Sequence, residues 1–154
     1  MSTASSPARS PAMASALGLA GLIPFAAGAL ALWLPLPLLT PETGLRLTVI
    51  YGAIILSFLG GIRWGTALGP YDAARQGRDF TASVLGALAG LAAAFLPPVP
   101  ALSLLIAGYL SQALWDVTSA EAGRLPLWFG RLRMLLTGGA VIAQIAALLA
   151  VILS

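Results

Sequence analysis

The chain has 154 residues, of which 59% are hydrophobic and 8% charged, and its formal net charge is +3. Soluble domains carry about 25% charged residues, so a bilayer must solvate most of these side chains. The sequence has no Cys and no His, which argues against a bound metal or other cofactor and against the usual catalytic sets.

The pattern of apolar residues predicts one membrane domain behind a short tail. Residues 1–14 are rich in Ser, Ala and Pro, and we expect them to form a flexible N-terminal tail. Residues 15–154 form a single domain. A helix needs about 20 apolar residues to cross ~30 Å of hydrocarbon. Five runs approach that length, at about 15–36, 47–68, 80–96, 101–117 and 132–153.

These runs predict an all-α bundle of five transmembrane helices. Their apolar and polar residues do not alternate, as they would in the strands of a membrane barrel. Pro24 lies inside the first run and should kink it. The segment Pro97-Pro98-Val99-Pro100 predicts a tight turn that joins the third and fourth helices into a hairpin.

The distribution of arginine predicts the orientation. When loops are assigned to alternate sides, only Arg46 falls on one side, and seven arginines fall on the other: Arg9, Arg63, Arg75, Arg78, Arg124, Arg131 and Arg133. Because positively charged loops stay in the cytoplasm, we predict a cytoplasmic N-terminus and an outside C-terminus. The arginines are spread out rather than clustered in a basic patch, so we expect no nucleic-acid partner.

Three segments carry a resemblance to a known family: residues 17–25, residues 51–65 and residues 125–133. The most specific is the second, which ends in Gly60-Gly61-Ile62-Arg63-Trp64-Gly65. Together they resemble the family called domain of unknown function 3429, whose animal members are named transmembrane protein 69. The resemblance implies a small multi-pass protein of the bacterial inner membrane, or of mitochondria in animals. It implies no catalytic residues, because the activity of the family is unknown.

Ionisable groups at membrane depth usually pair or face the interior of the bundle. Arg63 and Asp116 lie near the same end of the second and fourth runs, so we predict that they form an ion pair. Gln112 and Tyr109 would extend it as a polar stripe on the fourth helix. We favour a structural role that fixes helix register over a pathway for an anion or a proton. Gln144, near the middle of the fifth run, should hydrogen-bond to a neighbouring helix.

Small residues and aromatic residues suggest two further sets of contacts. Glycines at four-residue spacing favour close helix packing, and the candidates are Gly61, Gly65, Gly69, Gly86, Gly90 and Gly139. Aromatic rings and arginines near the cytoplasmic headgroups would contact anionic lipid or a partner, and these are Trp64, Trp115, Trp128, Arg131 and Arg133.

These features favour a non-catalytic protein of the bacterial inner membrane. We expect an accessory, structural or assembly component that joins a larger membrane complex or associates with itself. The alternative is a small transporter or channel for an anion or a hydrophobic solute, centred on Arg63. Transporters often have two related halves. Five spans do not divide equally, and the sequence shows no internal repeat.

Overall fold

The computed structural model describes residues 11–154. Over this range it contains six helices and no strand, and Leu36 and Leu39 form only an isolated bridge. The helices are α1 (Ala12–Ala20), α2 (Ile23–Trp33), α3 (Pro41–Ala67), α4 (Ala73–Phe95), α5 (Pro98–Glu121) and α6 (Leu127–Leu153).

The predicted all-α fold with five membrane-crossing segments is confirmed. Helices α1 and α2 together form one candidate span, Ala12–Trp33, and α3 to α6 each form another. All five are long and apolar enough to cross a bilayer. The orientation of the termini stays a prediction.

Helices α3 and α4 begin earlier than the apolar runs, because capped polar turns extend them. Helix α3 begins at Pro41 instead of residue 47, and the Thr40 hydroxyl accepts a hydrogen bond from the Thr43 amide at 3.2 Å. Helix α4 begins at Ala73 instead of residue 80, and the Asp72 carboxylate accepts one from the Arg75 amide at 2.9 Å. Hydropathy detects the apolar part of a helix and not the turn that its N-cap stabilises.

The first span is broken between α1 and α2, at Gly21 and Leu22. Pro24 is in the first turn of α2, where its missing N–H costs no helical hydrogen bond. The Tyr51 hydroxyl donates to the Gly21 carbonyl at 3.0 Å. A neighbouring helix therefore satisfies a carbonyl at the break. Most of the predicted tail, residues 1–10, lies outside the described residues, but α1 already begins at Ala12.

The turn between α4 and α5 is shorter than predicted. It consists of Leu96 and Pro97, while Pro98 and Pro100 belong to the first turn of α5. The first N–H groups of a helix have no intrahelical partner, so proline is tolerated there.

The helix order brings four helix termini together at one end of the bundle: the C-termini of α3 and α5 and the N-termini of α4 and α6. We call this end the arginine end. Near the middle of the bundle, Phe25 stacks edge-on against Tyr51 and Tyr109, with centroids 5.0 and 5.9 Å apart. At the opposite end, Ala29, Leu102 and Ala147 form a smaller buried cluster.

Glycines set the close contact between α3 and α4. A Cβ on Gly90 would lie 2.7 Å from the Ala53 carbonyl oxygen, and one on Gly86 would lie 3.0 Å from that of Leu56. On α3 the residue that meets the neighbouring backbone is Gly60, which abuts the Ser83 carbonyl. The interface thus uses the face of α3 that carries Gly60.

Three of the predicted packing glycines do not form intramolecular helix contacts. A Cβ on Gly61 or Gly65 would meet nothing within 4 Å among the described residues, so the prediction that they pack against another helix of this chain is wrong for both. Both glycines lie on the exposed outer face of α3, whereas Gly60 lies on the face that packs against α4. Gly69 lies in the loop after α3, against the Tyr71 ring. Gly139 faces the Leu22 side chain, with 2.7 Å to its Cδ1 from a built Cβ.

Candidate functional site

Two ion pairs, a third arginine and a tryptophan lie together at the arginine end, and we call this set the ionic layer: Arg63, Asp79, Trp115, Asp116, Arg124 and Arg133. The predicted pair between Arg63 and Asp116 is wrong. Arg63 donates from Nε and Nη2 to Oδ1 of Asp79, at 3.4 and 3.3 Å. Asp79 was missed because α4 was predicted to begin one residue after it. In the structure Asp79 lies inside α4, buried against α3.

Asp116 pairs instead with Arg133, whose Nε lies 2.5 Å from Oδ2 of the carboxylate. This pair is the more deeply buried, with side chains 2% and 8% exposed, compared with 19% for Arg63 and 9% for Asp79. The predicted contact of Arg133 with headgroups or a partner at the membrane surface is therefore wrong, because the side chain is buried within the bundle. Helix α6 begins at Leu127 rather than residue 132, so Arg133 lies in its second turn instead of at its start, and its side chain reaches Asp116 of α5.

Trp115 lies between Arg63 and Arg124, an arginine that belongs to neither ion pair. The guanidinium carbon of Arg63 lies 4.6 Å from the centroid of its ring, and that of Arg124 lies 5.5 Å away. Cation–π contacts of this kind stabilise by about 0.5–2 kcal/mol, and more when they are desolvated. Trp115 is thus half-buried between two arginines.

The other polar residues of the predicted stripe have separate roles. The buried Tyr109 hydroxyl donates to the Gly52 carbonyl at 3.0 Å, which joins α5 to α3. Gln112 is buried, and its Oε1 has no hydrogen-bond partner in residues 11–154. The side-chain amide atoms of Gln144 also lack one in this part of the chain, so its predicted hydrogen bond is not found.

Three of the predicted interfacial residues stay at the surface of the arginine end. Trp64 is 47% exposed and its ring lies 4.7 Å from that of Phe80. Trp128 is half-buried and stacks edge-on against Phe129, and Arg131 is exposed. Their contact with lipid or with a partner stays a prediction.

A partly open cavity of about 390 Å³ lies beside the ionic layer, lined by α1, α2, α3 and α6 and by Tyr109 of α5. We call it the apolar cavity. Small-molecule sites have volumes of about 300–1,000 Å³ and mostly apolar walls with a few polar groups. Its walls include Leu17, Phe58 and Leu136, and its polar side chains include Arg133 and Thr137. The cavity extends along α6 from Trp128 to Ala140, about 18 Å at 1.5 Å per residue.

Two polar atoms at this cavity are buried without a partner in the described part of the chain. They are Nη2 of Arg133 and the hydroxyl of Thr137. An unpaired buried donor costs about 1–3 kcal/mol, and more when it is charged. Sequence reasoning missed the cavity, although the spacing of Arg133, Thr137, Ala140 and Gln144 indicates one helix face.

The helices and the buried ion pairs define a multi-pass, all-helical membrane protein. The chain belongs to the family described as Protein of unknown function (DUF3429), which it matches over residues 10–149. The family resemblance expected from residues 17–25, 51–65 and 125–133 is thereby confirmed.

A curated relative is the protein named Transmembrane protein 69 from Xenopus tropicalis. The two sequences are 38% identical over 142 residues, which covers 86% of this chain and 52% of the relative. The chain thus spans about half the length of that relative. No solved structure matches the chain.

Proposed function

We propose that the protein is a non-catalytic accessory component of a larger complex in the bacterial inner membrane. The observation that supports this most strongly is the ionic layer. Its two aspartates, Asp79 and Asp116, form ion pairs with Arg63 and Arg133. The first pair joins α3 to α4 and the second joins α5 to α6, so each pair connects consecutive helices. Ionisable groups used in this way fix the arrangement of a membrane bundle. A rigid bundle with apolar outer faces suits a role in which the protein contacts other membrane proteins.

The outer face of α3 is where we expect a partner helix to bind. Ser57, Gly61 and Gly65 recur every four residues on it, and all three are exposed. Helices in lipid associate through small residues, because these let two backbones approach closely. The two glycines have open space beside them within the described residues, so the bundle itself does not use this face.

We do not favour the alternative of a transporter centred on Arg63. That side chain is paired with Asp79 near one end of α3, rather than standing alone at mid-membrane. The apolar cavity near Arg133 is bounded toward the bundle middle by Phe25, Tyr109 and Ala140. Both features suit a closed bundle better than a route across it.

Photo-crosslinking in native membranes tests the accessory role. A crosslinker at Ser57 should give a defined protein adduct, whereas one at Ile142, an exposed apolar position on α6, should not. Replacing Gly61→Leu and Gly65→Leu together should remove the adduct while folded yield is kept. A protein adduct of the same size from both positions, or none from Ser57, would contradict the proposed face.

The orientation is tested separately with reporters fused after Ser154. We expect the C-terminus on the outer side of the inner membrane, because the arginine end should face the cytoplasm. A periplasmic enzyme reporter should then be active and a cytoplasmic fluorescent reporter dark. The reverse pattern would overturn the assignment.

A further inference from the structure

The apolar cavity combines a hydrocarbon-like wall with a buried cationic group. Arg133 is 6% exposed overall, and its Nε is occupied by Asp116. Its Nη2 is buried and has no partner among residues 11–154, and the same holds for the hydroxyl of Thr137. The two residues are four apart on α6, so they lie on one face, and both line the cavity. A negatively charged oxygen would give both groups a partner.

The charge of the ionic layer favours an anion as well. Three arginines, Arg63, Arg124 and Arg133, share the layer with two aspartates, which leaves one positive charge in excess. Arg124 is half-buried and its Nε also has no partner within the described chain. Arg124 is partly solvated and does not line the cavity, so its charge acts on an occupant only through the layer as a whole. An occupant with one negative charge would lower the excess positive charge of this layer.

The lining of the cavity favours an apolar tail. Leu17, Phe58, Leu132 and Leu136 offer apolar walls, and the lining on α6 extends from Trp128 to Ala140. We propose that the apolar cavity binds a single-chain anionic amphiphile of the long-chain carboxylate type. The carboxylate accepts hydrogen bonds from Arg133 and Thr137, and the acyl chain packs between α1, α3 and α6. This ligand site is independent of the proposed accessory role.

Binding of radiolabelled palmitate to the purified full-length chain in a non-ionic detergent tests this site, with hexadecanol as a competitor. Hexadecanol has the same tail and no charge, so it should compete at least about tenfold more weakly than unlabelled palmitate. Thr137→Val keeps the size of the side chain and removes one hydrogen bond, and it should weaken palmitate binding about fivefold. Arg131→Gln, an exposed arginine on the same helix, is the matched control and should leave binding within about twofold.

Because Arg133→Gln alone leaves Asp116 unpaired and risks misfolding, the arginine is tested in a double variant. Arg133→Leu combined with Asp116→Leu replaces the pair with apolar side chains, which proteins often tolerate. This variant should remain folded and lose at least about tenfold in palmitate affinity. Equal binding of palmitate by the double variant, or equal competition by hexadecanol and palmitate, would overturn the proposal. So would the absence of palmitate binding to the folded wild-type chain.

Discussion

The two ends of the bundle hold their helices together by different means. At the arginine end, the pairs Arg63–Asp79 and Arg133–Asp116 join the helices through buried charges. At the opposite end, α2 and α3 approach through Gly28 and Gly44. A Cβ on Gly28 would lie 2.8 Å from the Gly44 carbonyl oxygen. Charge pairs tolerate some separation between backbones and require a specific partner, whereas close packing needs no charge and tolerates no added volume.

The largest effect should come from breaking the deeper ion pair. Arg133→Leu alone leaves Asp116 buried without a counter-charge, and we expect a loss of about 3–5 kcal/mol in the free energy of unfolding. Unfolding in mixed detergent, followed by circular dichroism, measures it. Adding Asp116→Leu should restore most of the loss. If the double variant is no more stable than Arg133→Leu, the unpaired charge of Asp116 is not the cause of the stability loss in the single variant.

A smaller loss should follow from adding volume at the opposite end. Gly28→Ala places a methyl group against the Thr48 hydroxyl and the Gly44 carbonyl, and overpacking of this kind costs about 1–3 kcal/mol. Gly61→Ala is the matched control, because both changes gain the same helix propensity and only Gly28 is enclosed. Thermal unfolding of the two variants compares them directly. Equal stability would mean that α2 can move away from α3 at little cost.

The second ion pair should contribute less than the first. Arg63→Gln removes the charge opposite Asp79, but Arg63 is 19% exposed, so water screens part of the interaction. We expect a loss of about 1–2 kcal/mol, consistent with a hydrogen bond to a charged group. The same unfolding measurement applies. A loss as large as that of Arg133→Leu would indicate that the contact with Trp115 matters more than exposure suggests.

The smallest effect should come from the hydrogen bond between α2 and α6 at the opposite end. The indole Nε1 of Trp33 donates to the Ala146 carbonyl at 3.0 Å in an exposed position. Trp33→Phe keeps an aromatic ring and removes this donor, which should cost about 0.5–1 kcal/mol. A loss within error would mean that close packing alone holds this end.

The sequence was enough to predict the class, the five spans and the family. Each follows from local composition or from short motifs. It did not predict which charges pair, because pairing depends on where helices start. Asp79 lies one residue before the third apolar run, so a window of hydropathy excluded it from the membrane body, and Arg133 lies at the very start of the fifth run, where it was assigned to the membrane surface.

It was also hard to predict which face of each helix packs against its neighbours. Gly60 and Gly61 are neighbours in sequence, and only Gly61 belongs to a four-residue glycine pattern, with Gly65 and Gly69. Only the packing of α4 onto α3 decides that Gly60 is enclosed and Gly61 is open. One residue corresponds to about 100° around a helix, so a one-residue error moves a side chain to a different face. Polar side chains on α6 indicate the buried face of that helix better than glycines do. Thr137 and Gln144 share a face with Arg133, and all three are buried.

The ion pair between α5 and α6 has a consequence for biosynthesis. Synthesis proceeds from the N-terminus, so the hairpin of α4 and α5, with its two-residue turn, is complete before α6 leaves the ribosome. At that stage Asp79 already has Arg63, whereas Asp116 has to wait for Arg133, seventeen positions later. Docking of α6 thus pairs the second of the two buried aspartates, and a chain cut short before α6 would carry the Asp116 carboxylate without its arginine.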